Sequence, residues 1–335
     1  MAVRFAVYAA VLFASFAFNA LGVRSGLLWY STDPRTGYHG LDSALVLSRL
    51  RLAADGGPAL HPLADEPTPG QVNPYPSQFG LQGVVLSALM WALGAEPAPF
   101  AAAAALGCSL LTALTLALFF ASAARRFRLA VGDVAVAVTA SAPVLVQLAP
   151  SLYWCAFLLF APFVAAWVLY PWAAGRRGRK LTLLAVVGSL VLVKSLCGYE
   201  FVTTVVLAPV AAVWFHQHAA GGPLRKRLHW AAAVVLAGLL GFGAALAVHA
   251  AQLRLVLGVD PVRSVLERAR ARTVANDGRD EVVRAFDRAW TRVLPDRLAY
   301  PADCFLDYFR QPVASAPSVW TRRCAGFSWC WWPSF

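Results

Sequence analysis

The sequence predicts an all-α protein, a polytopic membrane helix bundle with a long first external loop and a small soluble helical segment at the C-terminus. Of the 335 residues, 59% are hydrophobic and 14% are charged, whereas a typical soluble domain has about 25% charged residues. Mean hydropathy is +0.59. The basic residues form short clusters between long apolar runs, an arrangement that orients membrane proteins. These observations exclude a disordered chain, a secreted disulfide scaffold and a simple soluble enzyme, and they argue against nucleic-acid binding despite the net charge of +12.

A helix needs about 20 mostly apolar residues to cross the hydrocarbon core, and this criterion gives about eight candidate crossings. In lipid the backbone must satisfy its own polar groups, and nothing alternates with period two, so helices are expected rather than a β-barrel. The first stretch fits either a cleaved signal peptide or an uncleaved signal-anchor, and the many later stretches favour the anchor. The candidate stretches are 5–23, 79–95, 99–122, 131–149, 152–173, 181–198, 201–216 and 230–251.

Three basic clusters predict the orientation of the bundle, because loops rich in Lys and Arg stay in the cytoplasm. They are Arg125-Arg126 with Arg128, then Arg176, Arg177, Arg179 and Lys180, then Arg225-Lys226-Arg227. If every stretch crosses once, loop 24–78 also falls in the cytoplasm. Cytoplasmic loops are expected to be rich in Lys and Arg, but the acidic residues of this loop roughly balance its arginines. We expect this loop to be external, which requires that 79–95 or 99–122 crosses incompletely, or that one cluster breaks the rule.

The loop 24–78 is too long, at about 50 residues, for a simple connector. Within it, 41–52 is predicted to be a helix on the membrane surface, with Leu41, Ala44, Leu45, Ser48 and Leu52 on one face and Arg49 and Arg51 elsewhere. Gly56-Gly57-Pro58 ends that helix. The prolines that follow predict an extended, stiff return path.

Several polar residues are candidates for a site, and each has a second interpretation. Asp33 suits a general base, or an Asp-Pro turn with Pro34. Lys194 and Glu200 flank the outer end of a stretch, where charges indicate function. The alternative is that Lys194 snorkels and that the two pair with each other or with neighbouring dipoles. Tyr153-Trp154 suits an aromatic belt or a platform for a sugar.

Taken in order, these features resemble the polyprenyl-phosphate-dependent membrane glycosyltransferases of the GT-C superfamily. The resemblance is to the protein O-mannosyltransferase and aminoarabinose transferase branch, over roughly residues 5–200. Two departures are visible: Asp33 is followed by Pro34 where the family commonly pairs two acids, and the turn 151–154 lacks an acid that many relatives have. The matching residues are Asp33, Tyr38, helix 41–52, Asn73-Pro74-Tyr75, Ala124-Arg125-Arg126, the cluster 176–180 and Lys194.

The resemblance implies transfer of a sugar from a polyprenyl-phosphate donor to an envelope or protein acceptor on the non-cytoplasmic face. Asp33 would be the catalytic base, and Arg35 or Lys194 would meet the phosphate oxygens. The residues expected to bind substrate are Arg35, Tyr38, Tyr75, Tyr153, Lys194 and Glu200. An alternative function is a non-enzymatic polytopic protein, either a transporter or a component of polysaccharide export and assembly.

The remaining expectations concern organisation and location. No nucleotide, metal or redox motif is present, so we expect no metal and no cofactor. Residues 1–251 are predicted to form the transmembrane bundle and 252–335 an extracytoplasmic helical tail. Of the six cysteines, Cys304, Cys324 and Cys330 fall in that tail. A disulfide between two of them is compatible with the sequence, which does not determine the pairing. The family generally has further spans, so the ending fits either a shortened member or an atypical sequence. The expected location is the bacterial inner (plasma) membrane, with multiple passes.

Overall fold

The structure is a computed structural model that describes residues 2–23, 41–68, 71–75 and 77–261. The described residues belong to one compact unit. Asp33, Arg35 and Tyr38, together with most of the predicted C-terminal tail, lie outside the described residues.

The described residues form ten helices and one two-stranded antiparallel sheet. The predicted helical bundle is therefore confirmed. Four helices (α4, α7, α8 and α10) are long and apolar enough to cross a membrane. The elements are α1 (Ala2–Phe18), α2 (Leu41–Ala54), β1 (Leu63–Thr68), β2 (Gln71–Tyr75), α3 (Leu81–Leu93), α4 (Pro97–Arg126), α5 (Leu129–Ala140), α6 (Pro143–Leu148), α7 (Ala156–Ala173), α8 (Arg177–Cys197), α9 (Val202–Ala219) and α10 (Leu224–Val256).

The predicted stretch 131–149 is two helices rather than one. Helix α5 ends at Ala140 and α6 begins at Pro143. Proline has no N–H to donate and disfavours helical backbone in the residue before it. Accordingly Ala142 is extended, with φ −78° and ψ 107°.

The long helices give the bundle two distinct ends. One end, which we call the basic end, holds the three basic clusters. There Arg126 Nη1 donates to His216 Nδ1 at 2.7 Å, and Lys180 Nζ donates to His229 Nε2 at 3.0 Å. The opposite end, which we call the loop end, holds 41–68, 71–75, 77–80, 149–155 and 198–201. There Gln252 near the end of α10 donates to the carbonyls of Leu60 and Phe79.

Helix α3 packs at the loop end. Its 13 residues span about 20 Å, less than the roughly 30 Å of a hydrocarbon core. Near its start, Gln82 Nε2 donates to Tyr153 O at 3.2 Å. Near its end, Met90 packs in one apolar cluster with Ala101 and Tyr153. Both ends of α3 therefore lie near the loop end of the bundle.

Helix α2 packs against the rest of the protein, and Arg49 corrects the predicted buried face most clearly. Its side chain is 0% exposed, while Arg51 is exposed. Arg49 Nε donates to His61 O at 3.0 Å, and Nη2 donates to Pro58 O and Ala59 O at 3.0 and 2.8 Å. Burial lowers the pKa of Arg49. The guanidinium therefore ties α2 to the segment that leads into β1.

The proline-rich return path also differs from the prediction, because it folds into a hairpin. Leu63 pairs with Tyr75, and Ala64 pairs with Pro74. Proline is tolerated in such a sheet because each of its two strands has a free edge. The side chains of Leu63 and Tyr75 join the apolar cluster that contains Tyr153, so the hairpin anchors the loop onto the bundle.

Candidate functional site

Buried polar side chains gather at the loop end, between the start of α3, the turn before α7 and the loop that joins α8 to α9. We call this group the loop-end cluster; its members are Gln78, Gln82, Tyr153, Lys194 and Glu200. Apolar side chains form most of the surrounding helices, so each polar group here needs a partner or carries a free-energy cost.

Lys194 lies in the last turn of α8 and is 1% exposed. Its Nζ donates to Gly198 O at 3.2 Å, the one partner that the described residues supply. An ammonium has three hydrogens to donate, and a buried charge is costly unless it is paired and hydrogen-bonded. Lys194 therefore does not snorkel to solvent; it bonds to a neighbouring backbone dipole rather than to Glu200, and it has donor capacity to spare.

Glu200 lies in the short loop between α8 and α9, and among the described residues only one of its two carboxylate oxygens has a hydrogen-bond partner. Tyr153 Oη donates to Glu200 Oε1 at 2.7 Å. Glu200 Oε2 is buried and has no hydrogen-bond partner among the described residues. A carboxylate oxygen in this state is ready to accept a hydrogen bond from a hydroxyl group.

Gly198 lies next to both charged side chains, Lys194 and Glu200. A Cβ atom at this position would clash with Glu200 Oε2 and would lie 2.6 Å from Gln78 Oε1. The backbone carbonyl of the same glycine accepts the bond from Lys194. Glycine is thus required here for close approach, and it places the ammonium and the carboxylate on one short segment. Gln78 Nε2 is also buried without a partner among the described residues.

The backbone on both sides of the cluster is held in an uncommon conformation. Cys155 precedes α7 with φ 45°, and Phe201 precedes α9 with φ 60°. Residues other than glycine rarely adopt this left-handed region, and such strain concentrates at functional sites. The two helix starts that carry Tyr153 and Glu200 are therefore fixed by tertiary packing against local preference.

A second set of polar contacts supports the loop from the side of α10. Tyr199 Oη and His249 Nδ1 share a hydrogen bond of 2.7 Å. Burial raises the pKa of Tyr199 above its ordinary value. Neighbouring Gln252 holds Leu60 and Phe79 through its side-chain amide. Together these bonds connect the end of α10 to both loops that form the cluster.

Aromatic side chains line the same region. Tyr153 is 3% exposed, which does not fit a ring in an aromatic belt at the membrane surface. Its ring meets Trp154 edge to face, with centroids 5.3 Å apart, and Trp154 contacts Phe201 at 5.5 Å. Tyr75 packs into the same apolar cluster as Tyr153. Buried Tyr153 acts as a positioning group for Glu200, and Tyr75 lies half-buried beside it.

The cysteines of the bundle match their expected behaviour as small apolar residues. Cys108, Cys155 and Cys197 are buried and free. Cys155 and Cys197 pack with Leu158 in a small apolar cluster. Within the described ranges, no three His, Cys, Asp or Glu side chains form a group that could hold a metal ion.

The structure brings together four of the seven residues predicted for the site: Tyr75, Tyr153, Lys194 and Glu200. The other three, Asp33, Arg35 and Tyr38, fall outside the described residues. Sequence reasoning missed Gln78, Gln82 and Gln252. Their signal was present, since each is a polar residue within or beside a long apolar stretch.

Comparison with protein-family models, curated proteins and solved structures finds no match to this chain. The site is therefore interpreted from its own chemistry. It offers one buried ammonium, one carboxylate with an open oxygen, and amide groups from two glutamines. Such a set can hold an anionic group together with hydroxyl groups.

Proposed function

We propose that this protein is a membrane glycosyltransferase that moves a sugar from a polyprenyl-phosphate donor to an envelope or protein acceptor on the non-cytoplasmic face. The observation that carries the proposal is the buried Lys194 ammonium without a carboxylate partner, beside Glu200 with an open oxygen. The resemblance to the GT-C superfamily supplies the reaction.

The donor needs two things that the loop end offers. Its phosphate needs a cation, and a charge-assisted hydrogen bond to Lys194 is stronger than one between neutral groups. Its polyprenyl tail needs an apolar surface, which helices such as α3 and α10 present through exposed Leu89, Trp91 and Leu246. A phosphate at Lys194 would also supply the missing partner for a buried charge.

The transfer step needs a carboxylate base near the acceptor. In the proposed reaction, Asp33 takes the proton from the acceptor hydroxyl as that oxygen bonds to the anomeric carbon. The bond from that carbon to the phosphate oxygen breaks, and polyprenyl phosphate leaves. The resemblance expects a further acid at the turn 151–154; Tyr153 of this turn holds Glu200, which we propose accepts hydrogen bonds from sugar hydroxyls.

The location proposed is the bacterial inner membrane, crossed several times. The three basic clusters share one end of the bundle, and the positive-inside rule assigns that end to the cytoplasm. The loop end is then external. That side is where lipid-linked sugars serve as donors for envelope acceptors in the family that the chain resembles.

Binding of decaprenyl phosphate to the purified full-length protein tests the proposal. We expect Lys194→Met to weaken this binding at least tenfold, equivalent to about 1.4 kcal/mol or more. Lys180→Met is the matched control, because it removes a lysine at the basic end that bonds His229. Decaprenol, which lacks the phosphate, should compete poorly with decaprenyl phosphate.

The transfer itself is measured as release of decaprenyl phosphate from decaprenyl-phosphate mannose and decaprenyl-phosphate aminoarabinose in the presence of an envelope extract. Equal binding by wild type and Lys194→Met, or equal loss in Lys180→Met, would rule out Lys194 as the phosphate site. Binding without release from either donor would favour the non-enzymatic alternative.

A further inference from the structure

A groove at the basic end combines an apolar wall with fixed cationic groups. Its cavity volume is about 610 Å³, within the range of roughly 300–1,000 Å³ that is usual for ligand pockets. Helix α9 supplies five apolar or aromatic lining residues and one imidazole, and the start of α10 supplies a guanidinium. The lining residues are Leu207, Val210, Ala211, Trp214, Phe215, His218 and Arg227.

The apolar wall is a continuous stripe along α9. Its residues recur at intervals of three and four, which places them on one face of a helix. Leu207 is 52% exposed, so the wall faces outward rather than into the core. The opposite face of α9, with Val205, Val206 and Val213, is buried in the bundle. An acyl chain lying along this stripe would cover surface that the protein leaves open.

The cationic end of the groove is positioned by hydrogen bonds. Arg227 Nε donates to Gly222 O at 2.8 Å, and Nη1 donates to His218 Nδ1 at 3.0 Å. These two bonds fix the guanidinium plane while Nη2 has no bond to the described residues. Arg126 lies over the ring of Phe215 at 5.1 Å, which adds a second positive charge beside the groove.

We propose that this groove binds one phospholipid with an anionic headgroup, taken from the leaflet at the basic end. The acyl chain lies on the α9 stripe, and the phosphate meets Arg227 and His218. Charge complementarity selects this occupant, because basic pockets between membrane helices on the cytoplasmic side bind anionic headgroups. The groove lies at the opposite end from Lys194, so this proposal stands or fails independently of sugar transfer.

Native mass spectrometry of the purified full-length protein tests it, with phosphatidylglycerol and phosphatidylcholine of identical acyl chains added in equal amounts. Wild type should retain one phosphatidylglycerol in clear preference to phosphatidylcholine. Arg227→Gln should reduce that retention at least fivefold. Ala211→Trp should reduce it by a similar factor without changing charge, because the indole fills the groove at an exposed position.

Arg225→Gln is the matched control, since it removes a neighbouring exposed arginine that does not line the groove. Its retention should stay within twofold of wild type. Should Arg225→Gln lose as much lipid as Arg227→Gln, the attraction is a diffuse surface charge and the proposal is overturned. Wild-type retention by Ala211→Trp, or equal retention of both lipids, overturns it as well. Ala211→Trp keeps the test valid even if Arg227→Gln perturbs the turn at Gly222.

Discussion

The two ends of the bundle both bury polar side chains, but they satisfy them differently. At the basic end, Arg126, Trp167, Tyr170, His216 and Gln217 form a group that we call the basic-end cluster. His216 is 5% exposed; its Nδ1 accepts from Arg126, and its Nε2 donates to Trp167 O at 2.9 Å. Gln217 donates to the hydroxyl of Tyr170. Both ring nitrogens of the histidine therefore have partners.

The loop-end cluster leaves equivalent groups open. Its members lie at the start of α3, in the turn before α7, in the last turn of α8 and in the loop before α9. Glu200 Oε2 and Gln78 Nε2 have no partner among the described residues, and Lys194 uses one donor. A buried group without a partner costs about 1–3 kcal/mol, and more when it is charged. The difference indicates that the basic-end cluster stabilises the fold, whereas the loop-end cluster is arranged for a ligand that completes its hydrogen bonds.

The largest expected effect is on catalysis at the loop end. We expect Asp33→Asn to lower the rate of sugar transfer by about 10²–10⁴, the usual contribution of a general base. The amide cannot take a proton from the acceptor hydroxyl, and the donor should still bind. The measurement is release of decaprenyl phosphate from the sugar-loaded donor, together with donor binding by the same preparation.

Asp55→Asn is the control for this experiment. Asp55 is an exposed acid at the end of α2 in the same loop, so its replacement should leave both rate and binding unchanged. If Asp33→Asn transferred sugar at the wild-type rate, Asp33 could not be the base, and Glu200 would be the remaining candidate among the predicted acidic residues.

The next effect is on stability at the basic end. His216→Phe should destabilise the protein by about 1–3 kcal/mol, because it leaves the buried Trp167 carbonyl without its partner. Thermal unfolding in detergent measures the change. The exposed His229 is the comparison, and His229→Phe should change stability by less than about 0.5 kcal/mol. Donor binding per folded molecule should be unchanged in both variants; a specific loss of binding in His216→Phe would remove the distinction between the two ends.

Sequence reasoning located the helices well because apolar length is a strong signal. The stretches 99–122, 152–173 and 181–198 correspond to α4, α7 and α8. It was weaker where one residue changes the local backbone, as at Pro143, which divides the stretch 131–149. It also could not decide whether 79–95 crosses, because composition alone does not show that α3 packs at the loop end.

The candidate site was predictable to the extent that charge in an apolar stretch is informative. Lys194 and Glu200 stand out in this way, and the structure places both beside Gly198. Arg49 shows the limit of the approach, since helical periodicity assigned it away from the apolar face. The side chain is instead buried, because three backbone carbonyls from 58–61 accept its hydrogen bonds. These carbonyls lie 9–12 residues farther along the chain. Helical periodicity does not reach that far, so only the three-dimensional structure shows them.

The smallest expected effect is a gain in thermal stability. It tests the difference between the two ends of the bundle most directly. Lys194→Met should raise the melting temperature by about 2–4 °C, equivalent to about 1 kcal/mol, while donor binding falls. Methionine has similar length and removes a buried charge that has one hydrogen bond, so its burial should be easier. Lys180→Met, at the half-buried Lys180 that bonds His229, should give no such gain. A lower melting temperature for Lys194→Met would mean that its bond to Gly198 holds the loop in place, and that the loop-end cluster is as structural as the one around His216.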